Sequence, residues 1–161
     1  MRILLVTTDR RISVSVTTAL LGLPDLGVLE VRSPQRALQQ LDEVGGFALV
    51  VADGDTAPTG GFALAREIKA RARMGRDMPP VLLLIARVAD KWLAEWSEAD
   101  AFARKPVDPF DLRELASALL EGGTVPALPG VWPGGGPMRA SARRIEQEAG
   151  EMAGGITGGG P

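Results

Sequence analysis

Five short apolar runs, each of strand length, are separated by segments with helical periodicity, and this alternation constrains the fold more than any other feature. The most apolar runs, such as RILLVT and PVLLLIA, suit parallel strands that helices cover on both faces. The predicted strands are residues 2–7, 28–31, 47–53, 80–86 and 100–103. The pattern predicts an α/β fold with a doubly wound, five-stranded parallel sheet.

Start signals precede several of the intervening helices. Asp9 is placed to cap the first one, and Ser33 followed by Pro34 is an N-cap with proline at the first helical position. Asp108 precedes the last helix, which we expect to end at Gly122. The helices predicted before this last one are residues 10–21, which follow Asp9, residues 34–44, which follow Ser33, and residues 60–74 and 88–98.

The composition excludes several classes of function. The chain has no Cys and no His, which excludes disulfides, thiolate or imidazole metal sites and a histidine general base. A net charge of −2 gives no global positive field for a nucleic-acid backbone. No apolar run approaches the roughly 20 residues of a transmembrane helix, and no signal peptide is recognisable. We therefore expect a cytoplasmic protein that binds no nucleic acid, with any membrane association only peripheral and through a partner.

The composition changes after Glu121. Twelve of the 20 glycines and five of the 12 prolines fall within residues 122–161, which is typical of a flexible tail. Within it, residues 138–153 carry an apolar stripe between Arg and Glu residues, which favours a short amphipathic helix formed against a partner or the chain's own domain. The stripe includes Met138, Ile145 and Met152. The predicted organisation is thus a domain of residues 1–121 and a tail of residues 122–161.

Chemically active side chains stand at the ends of three predicted strands. Thr7, Thr8 and Asp9 follow the first strand, Asp53 ends the third, and Lys105 follows the fifth. The carboxyl ends of the strands in such a sheet line one crevice, so these residues are expected to meet there.

Three sequence patterns carry a resemblance to a known family: ILLVTTD, FALVVADGDTAPTGG and ADAFARKPVDPFDL. With their order and spacing, residues 1–121 resemble the receiver domain of bacterial two-component response regulators. The resemblance implies a flavodoxin-like (βα)5 fold. It also implies a role for each matching position.

By this resemblance, Asp53 matches the aspartate that accepts a phosphoryl group from a histidine kinase, and Lys105 matches the lysine that pairs with the acyl phosphate. Phe102 matches the aromatic switch residue. Ile85 falls where the family has Thr or Ser, whose hydroxyl follows the phosphate. These four positions are the candidate phosphoacceptor, its partner and the two switch residues.

Two departures from the family pattern bear on function. Thr7 and Thr8 replace the acidic pair that usually holds Mg²⁺, and neutral hydroxyls do not supply the charge that carboxylates do. Ile85 cannot hydrogen-bond a phosphate. No cofactor is expected beyond a weakly held Mg²⁺ at Asp9 and Asp53, with Asp55 leaning over the same pocket. Asp9 also has the alternative role of helix cap, and Asp53 that of an acid paired with Lys105.

Three tryptophans are candidates for partner binding. Trp92 and Trp96 lie four residues apart in the fourth helix, and the interpretation that they pack on the sheet stands beside that of an exposed anchor. Trp132 lies among glycines and prolines, where disorder and insertion into a partner's groove are the alternatives. Met138, Ile145 and Met152 are further candidates.

These features favour a stand-alone, degenerate receiver, or pseudo-receiver. Such a protein would not be an enzyme, but a protein-protein interaction module that works without phosphorylation. One alternative is a phosphoacceptor in a two-component phosphorelay, with Asp53 active and a histidine kinase as partner. Another is an accessory subunit of a large multi-subunit complex, such as the respiratory NADH:quinone oxidoreductase. Co-purification from native membranes, with and without residues 122–161, would test that last hypothesis.

Overall fold

The computed structural model describes residues 1–134, which form one sheet with helices on both faces. The strands are β1 (Arg2–Val6), β2 (Gly27–Val31), β3 (Phe47–Asp53), β4 (Val81–Ile85), β5 (Ala101–Arg104) and β6 (Val131–Pro133). The helices are α1 (Arg10–Leu20), α2 (Pro34–Glu43), α3 (Gly60–Arg73), α4 (Lys91–Ser97) and α5 (Pro109–Leu120). A 3₁₀ turn, Val88–Asp90, precedes α4.

The strand order is β2-β1-β3-β4-β5-β6, and the first five strands are parallel. The predicted doubly wound parallel sheet is therefore confirmed. The structure extends it by β6, which pairs antiparallel with β5 and places Trp132 opposite Phe102. Residues 131–133, which the composition assigned to a flexible tail, are thus part of the sheet.

The sheet separates two halves of the hydrophobic core. Alternate residues of each strand face opposite sides, so that Ile3 and Leu5 of β1 lie with α1 and α5, while Leu4 and Val6 lie with the residues of α2, α3 and α4. The residues of β4 are all buried, as a parallel strand covered on both faces requires.

The predicted caps are present. The Asp9 carboxylate accepts a hydrogen bond from the Arg11 N–H at 2.8 Å, and the Ser33 hydroxyl accepts one from the Arg36 N–H at 3.2 Å. Asp108 caps α5 in the same way. These caps fix the beginnings of three helices close to the positions the sequence predicts.

One helix differs from its prediction. Instead of a single helix over residues 88–98, the chain forms a 3₁₀ turn and then the seven-residue α4. Ala94 and Ser97 face the core, whereas Trp92 and Trp96 are 65% and 45% exposed. The interpretation that the two indoles pack on the sheet is therefore wrong, because the helix turns its small residues, Ala94 and Ser97, towards the core instead.

The predicted helix over residues 138–153, with Met138, Ile145 and Met152, lies outside the described residues. Within residues 1–134, no helix combines the length and apolarity that crossing a membrane would need.

Candidate functional site

The crevice at the carboxyl ends of β1, β3 and β5 brings together Thr7, Asp53 and Lys105, as the sequence predicts. The backbone continues the parallel pairing just past the strand ends, because the Thr7 N–H donates to the Val31 carbonyl at 3.1 Å and the Lys105 N–H donates to the Ile85 carbonyl at 2.8 Å. Parallel pairing therefore aligns the three side chains at one edge of the sheet.

Asp53 is the buried centre of this site, with only 3% of its surface exposed. Its Oδ1 accepts hydrogen bonds from Lys105 Nζ at 2.7 Å and from the Asp55 N–H at 3.1 Å. Its Oδ2 accepts one from the Thr7 hydroxyl at 3.0 Å. Both carboxylate oxygens are thus satisfied within the protein.

Backbone packing adds to the confinement of Asp53. Gly61, in the first turn of α3, approaches the Asp53 carbonyl so closely that an added Cβ would lie 2.5 Å from its oxygen. Only glycine allows the helix to pass this close to the strand end, so the position of Asp53 is fixed by backbone contact as well as by its side-chain partners.

Lys105 bridges two carboxylates. Its Nζ lies 2.7 Å from Asp53 Oδ1 and 2.8 Å from Asp55 Oδ2. Burial by itself lowers the pKa of Lys105, but the hydrogen bonds and negative charges of Asp53 and Asp55 outweigh it and raise that pKa. The ion pair of Asp53 with Lys105 that the sequence allows is therefore present, and Asp55 leans over the pocket as expected.

Asp9 serves as the cap of α1. Besides its carboxylate bond to the Arg11 N–H, its own N–H donates to the Thr7 hydroxyl at 3.0 Å. Thr7 therefore links the start of α1 to Asp53 through one hydroxyl, which accepts from Asp9 and donates to Asp53. Thr8 is exposed.

The residues present do not fit a Mg²⁺ site of the kind the family resemblance implies. In the described part of the chain, no group of three or more acidic, His or Cys side chains is arranged to hold a metal ion. Asp53 and Asp55 already accept from the Lys105 ammonium, and the Asp9 carboxylate is engaged at the helix start. A hard divalent cation needs several oxygen ligands that converge on one point, and the described carboxylates do not form such a group.

The two switch positions are both inside the core. Ile85 is fully buried among apolar side chains, and Phe102 is 1% exposed. The Phe102 ring stacks on Trp132, with 5.6 Å between centroids and 26° between planes. The Lys91 ammonium also lies over the Trp132 ring, with Nζ 5.6 Å from the ring centroid.

Sequence reasoning missed Arg87, two residues after the end of β4. Its guanidinium hydrogen-bonds Asp90, 3.0 Å from Nη2 to Oδ1, and this bond, together with the charges of Asp90 and Asp55, raises the pKa of Arg87. Arg87 is thus an exposed cation that is paired with Asp90 just past the end of β4. A basic residue just past a strand end is the only signal that could have indicated it.

Comparison with known proteins agrees with this geometry. The chain is 40% identical over 98 residues to uncharacterized response regulatory proteins from two strains of Mycobacterium tuberculosis, and the alignment covers 61% of this chain and 71% of each relative. No protein-family model matches the chain.

Solved structures show the same fold. A CheY-like receiver domain protein from Methanospirillum hungatei has a TM-score of 0.62 at 24% identity, over 75% of this chain and 94% of that one. A LuxR-family response regulator from Aurantimonas has a TM-score of 0.65 at 22% identity, over 78% of this chain and 89% of that one. This shared fold, together with the 40% identity to response regulatory proteins, leads to one conclusion: the chain belongs to the receiver-domain family of bacterial response regulators.

Proposed function

We propose that this receiver acts as a protein-interaction module whose contacts do not depend on phosphorylation of Asp53. The observation that carries the proposal is the Thr7 hydroxyl on Asp53 Oδ2, at the position where the family resemblance calls for an acidic, metal-holding residue. It supports a site in which the Asp53 oxygens are bonded within the protein rather than available to a phosphodonor.

Charge balance supports the proposal. Phosphoryl transfer to a carboxylate joins two negatively charged groups, and cations must neutralise the phosphoryl oxygens as the transfer proceeds. Here the cation within hydrogen-bonding distance is Lys105, and it is already shared by Asp53 and Asp55. The crevice therefore offers little uncompensated positive charge to an incoming phosphoryl group.

The switch positions support it as well. A hydroxyl at position 85 would be needed to follow a phosphate, and Ile85 has none. Phe102 is held by Trp132 from the same chain. A phosphate on Asp53 would thus lack both the hydroxyl partner at position 85 and a free aromatic ring at position 102 through which to change the surface.

The exposed face of α4 is the part of the domain that best suits a protein partner. Trp92 and Trp96 expose much of their indole surface, and Arg66 stacks on Trp96 with 4.4 Å from its guanidinium carbon to the ring centroid. Exposed aromatic residues beside arginine are typical of the central contacts of protein interfaces. Trp132, in contrast, is engaged within its own domain and is a weaker candidate.

The experiment is incubation of the full chain with acetyl phosphate and Mg²⁺, followed by intact mass measurement. We expect no phosphoryl adduct above the level found for Asp53→Asn. Thr7→Asp/Thr8→Asp is the matched positive variant, since it restores the acidic pair and keeps the aspartate at position 53. A stoichiometric adduct on the wild-type chain that disappears in Asp53→Asn would overturn the proposal.

The second candidate function is a phosphoacceptor in a phosphorelay, with a histidine kinase as donor. One observation favours it: Lys105 Nζ lies 2.7 Å from Asp53 Oδ1, the pairing that an acyl phosphate would use. The same experiment separates the two functions, because only this one predicts the Asp53-dependent adduct.

A further inference from the structure

A groove of about 750 Å³ lies at the edge of the sheet opposite to Asp53, where the strands begin. Its walls come from the start of β3, the end of α3, the end of α5 and the segment after α5. Its apolar walls include Ala48, Ala72, Met78, Leu119, Leu120 and Val125. A groove of this size and lining is suited to several apolar side chains.

The segment that follows α5 borders this groove twice. Residues 121–125 form one side as the chain leaves the helix, and Pro133 and Gly134 form another at the end of β6, which runs antiparallel along β5. The chain therefore returns to the groove at Gly134, the last residue that the structure describes.

Gly134 is held tightly at this point. Its N–H donates to the Asp100 carbonyl at 2.9 Å, and a Cβ added to it would lie 2.0 Å from the Ala99 carbonyl oxygen. Only glycine can lie against the backbone of Ala99 in this way. The path of the chain is thus fixed where the next residues begin.

The residues that follow complement the groove in sequence. Residues 137–145 read PMRASARRI, with Met138 and Ile145 as large apolar side chains, three arginines and no acid. The charged residues of the groove are Lys69 and Asp100, which form an ion pair with each other, and Glu121. The groove therefore combines apolar walls with a net negative charge, and the segment combines large apolar side chains with a net positive charge.

We infer that this groove is the docking site for the chain's own residues 137–145, with Met138 and Ile145 against its aliphatic walls and an arginine facing Glu121. Met138 is four residues beyond Gly134, a reach of up to about 14 Å. Because the segment is tethered at the groove, docking is intramolecular and its effective concentration is of the order of millimolar.

Site-specific photo-crosslinking on the full chain tests this assignment. A benzophenone amino acid replaces Ala72, which lines the groove and is exposed, and, as a control, Val14 on the exposed face of α1. We expect a crosslink from position 72 to a peptide within residues 137–145, in monomeric protein and at a yield that does not change on dilution. Position 14 should give none.

Two matched variants complete the test. Ile145→Glu should lower the yield from position 72 about tenfold or more, since a charge replaces an apolar side chain that docking would bury. Gln147→Glu, just beyond the segment, should leave it unchanged, with circular dichroism confirming that both variants fold. Equal yields from positions 72 and 14, crosslinked dimers that disappear on dilution, or capture of a different protein at position 72 would each overturn the inference.

Discussion

Replacing Trp132 with alanine should destabilise the domain, although the residue lies in a segment whose composition is typical of a linker. Trp132 packs against the core half that contains Phe102, and its ring stacks on the Phe102 ring at 5.6 Å. The substitution removes this stack and uncovers one side of a phenylalanine that is 1% exposed in the intact domain. It therefore tests whether β6 belongs to the fold.

The expected magnitude follows from burial. Truncating a fully buried Trp to Ala costs about 3–5 kcal/mol, and an aromatic pair contributes about 0.5–1.5 kcal/mol beyond its buried area. Because Trp132 is only partly buried, we expect a loss of about 2–3 kcal/mol in the free energy of unfolding. That is a large part of the roughly 5–15 kcal/mol that stabilises a domain of this size.

Urea unfolding followed by circular dichroism at 222 nm measures this loss without relying on tryptophan fluorescence. Trp92→Ala is the matched control, because Trp92 is 65% exposed and should change stability by no more than about 0.5 kcal/mol. If Trp132→Ala were as stable as the Trp92 variant, β6 would contribute nothing and the placement of Trp132 on Phe102 would be refuted.

Three further predictions follow from single positions. Gly134→Ala should release β6 and lower the urea midpoint, because its Cβ has no room, whereas Gly123→Ala, with 3.6 Å to the nearest atom, should be close to neutral in the same assay. Lys105→Met should cost about 3 kcal/mol at neutral pH by leaving Asp53 without its cation. Because the pKa of Lys105 is raised above its ordinary 10.5 in the folded state, its contribution is complete below that value and is lost as the pH rises through the folded pKa. Wild-type stability should therefore fall more steeply above pH 10.5 than that of the variant, and a parallel decline would contradict the ion pair. Ile85→Thr should lower the free energy of unfolding in urea by about 2 kcal/mol, since it puts a hydroxyl into a fully buried apolar site. The substitution should not by itself permit phosphorylation of Asp53. A phosphoryl adduct in this variant but not in the wild type would show that Ile85 was the whole obstacle.

Much of the site was predictable because the ends of parallel strands share one edge. Asp53 and Lys105 lie 52 residues apart in the chain, yet each directly ends or follows an apolar run, and the topology brings them to 2.7 Å. The lean of Asp55 toward the same pocket also follows from its position two residues after the strand. The hydrogen bond from the Thr7 hydroxyl to Asp53 could not be predicted, because the periodicity of a sequence does not determine side-chain rotamers.

The sixth strand was not predictable by the same reasoning. Val131–Pro133 is three residues long and is surrounded by glycine and proline, so no periodic signal distinguishes it from a linker. Its stability comes from nonlocal pairing with β5 and from the stack of Trp132 on Phe102. Neither contact can be predicted from the local sequence, because both partners, β5 and Phe102, lie about 30 residues earlier in the chain.

The orientation of α4 was mispredicted for a related reason. The face that is buried carries Asp90, Ala94 and Ser97, which recur at spacings of four and three just as the tryptophans do, so periodicity alone does not choose between the two faces. The small residues Ala94 and Ser97 then pack inward, and the large indoles point outward. Size alone favoured the opposite assignment.

Titration of the full chain with Mg²⁺ by isothermal calorimetry tests the central claim most directly, because both oxygens of Asp53 are already engaged, one by the Lys105 ammonium and one by the Thr7 hydroxyl. We predict no saturable binding to the wild-type chain, and binding at least about tenfold tighter in Thr7→Asp/Thr8→Asp, in which carboxylates again face Asp53. Saturable binding of Mg²⁺ to the wild-type chain that is lost in Asp53→Asn would contradict the account.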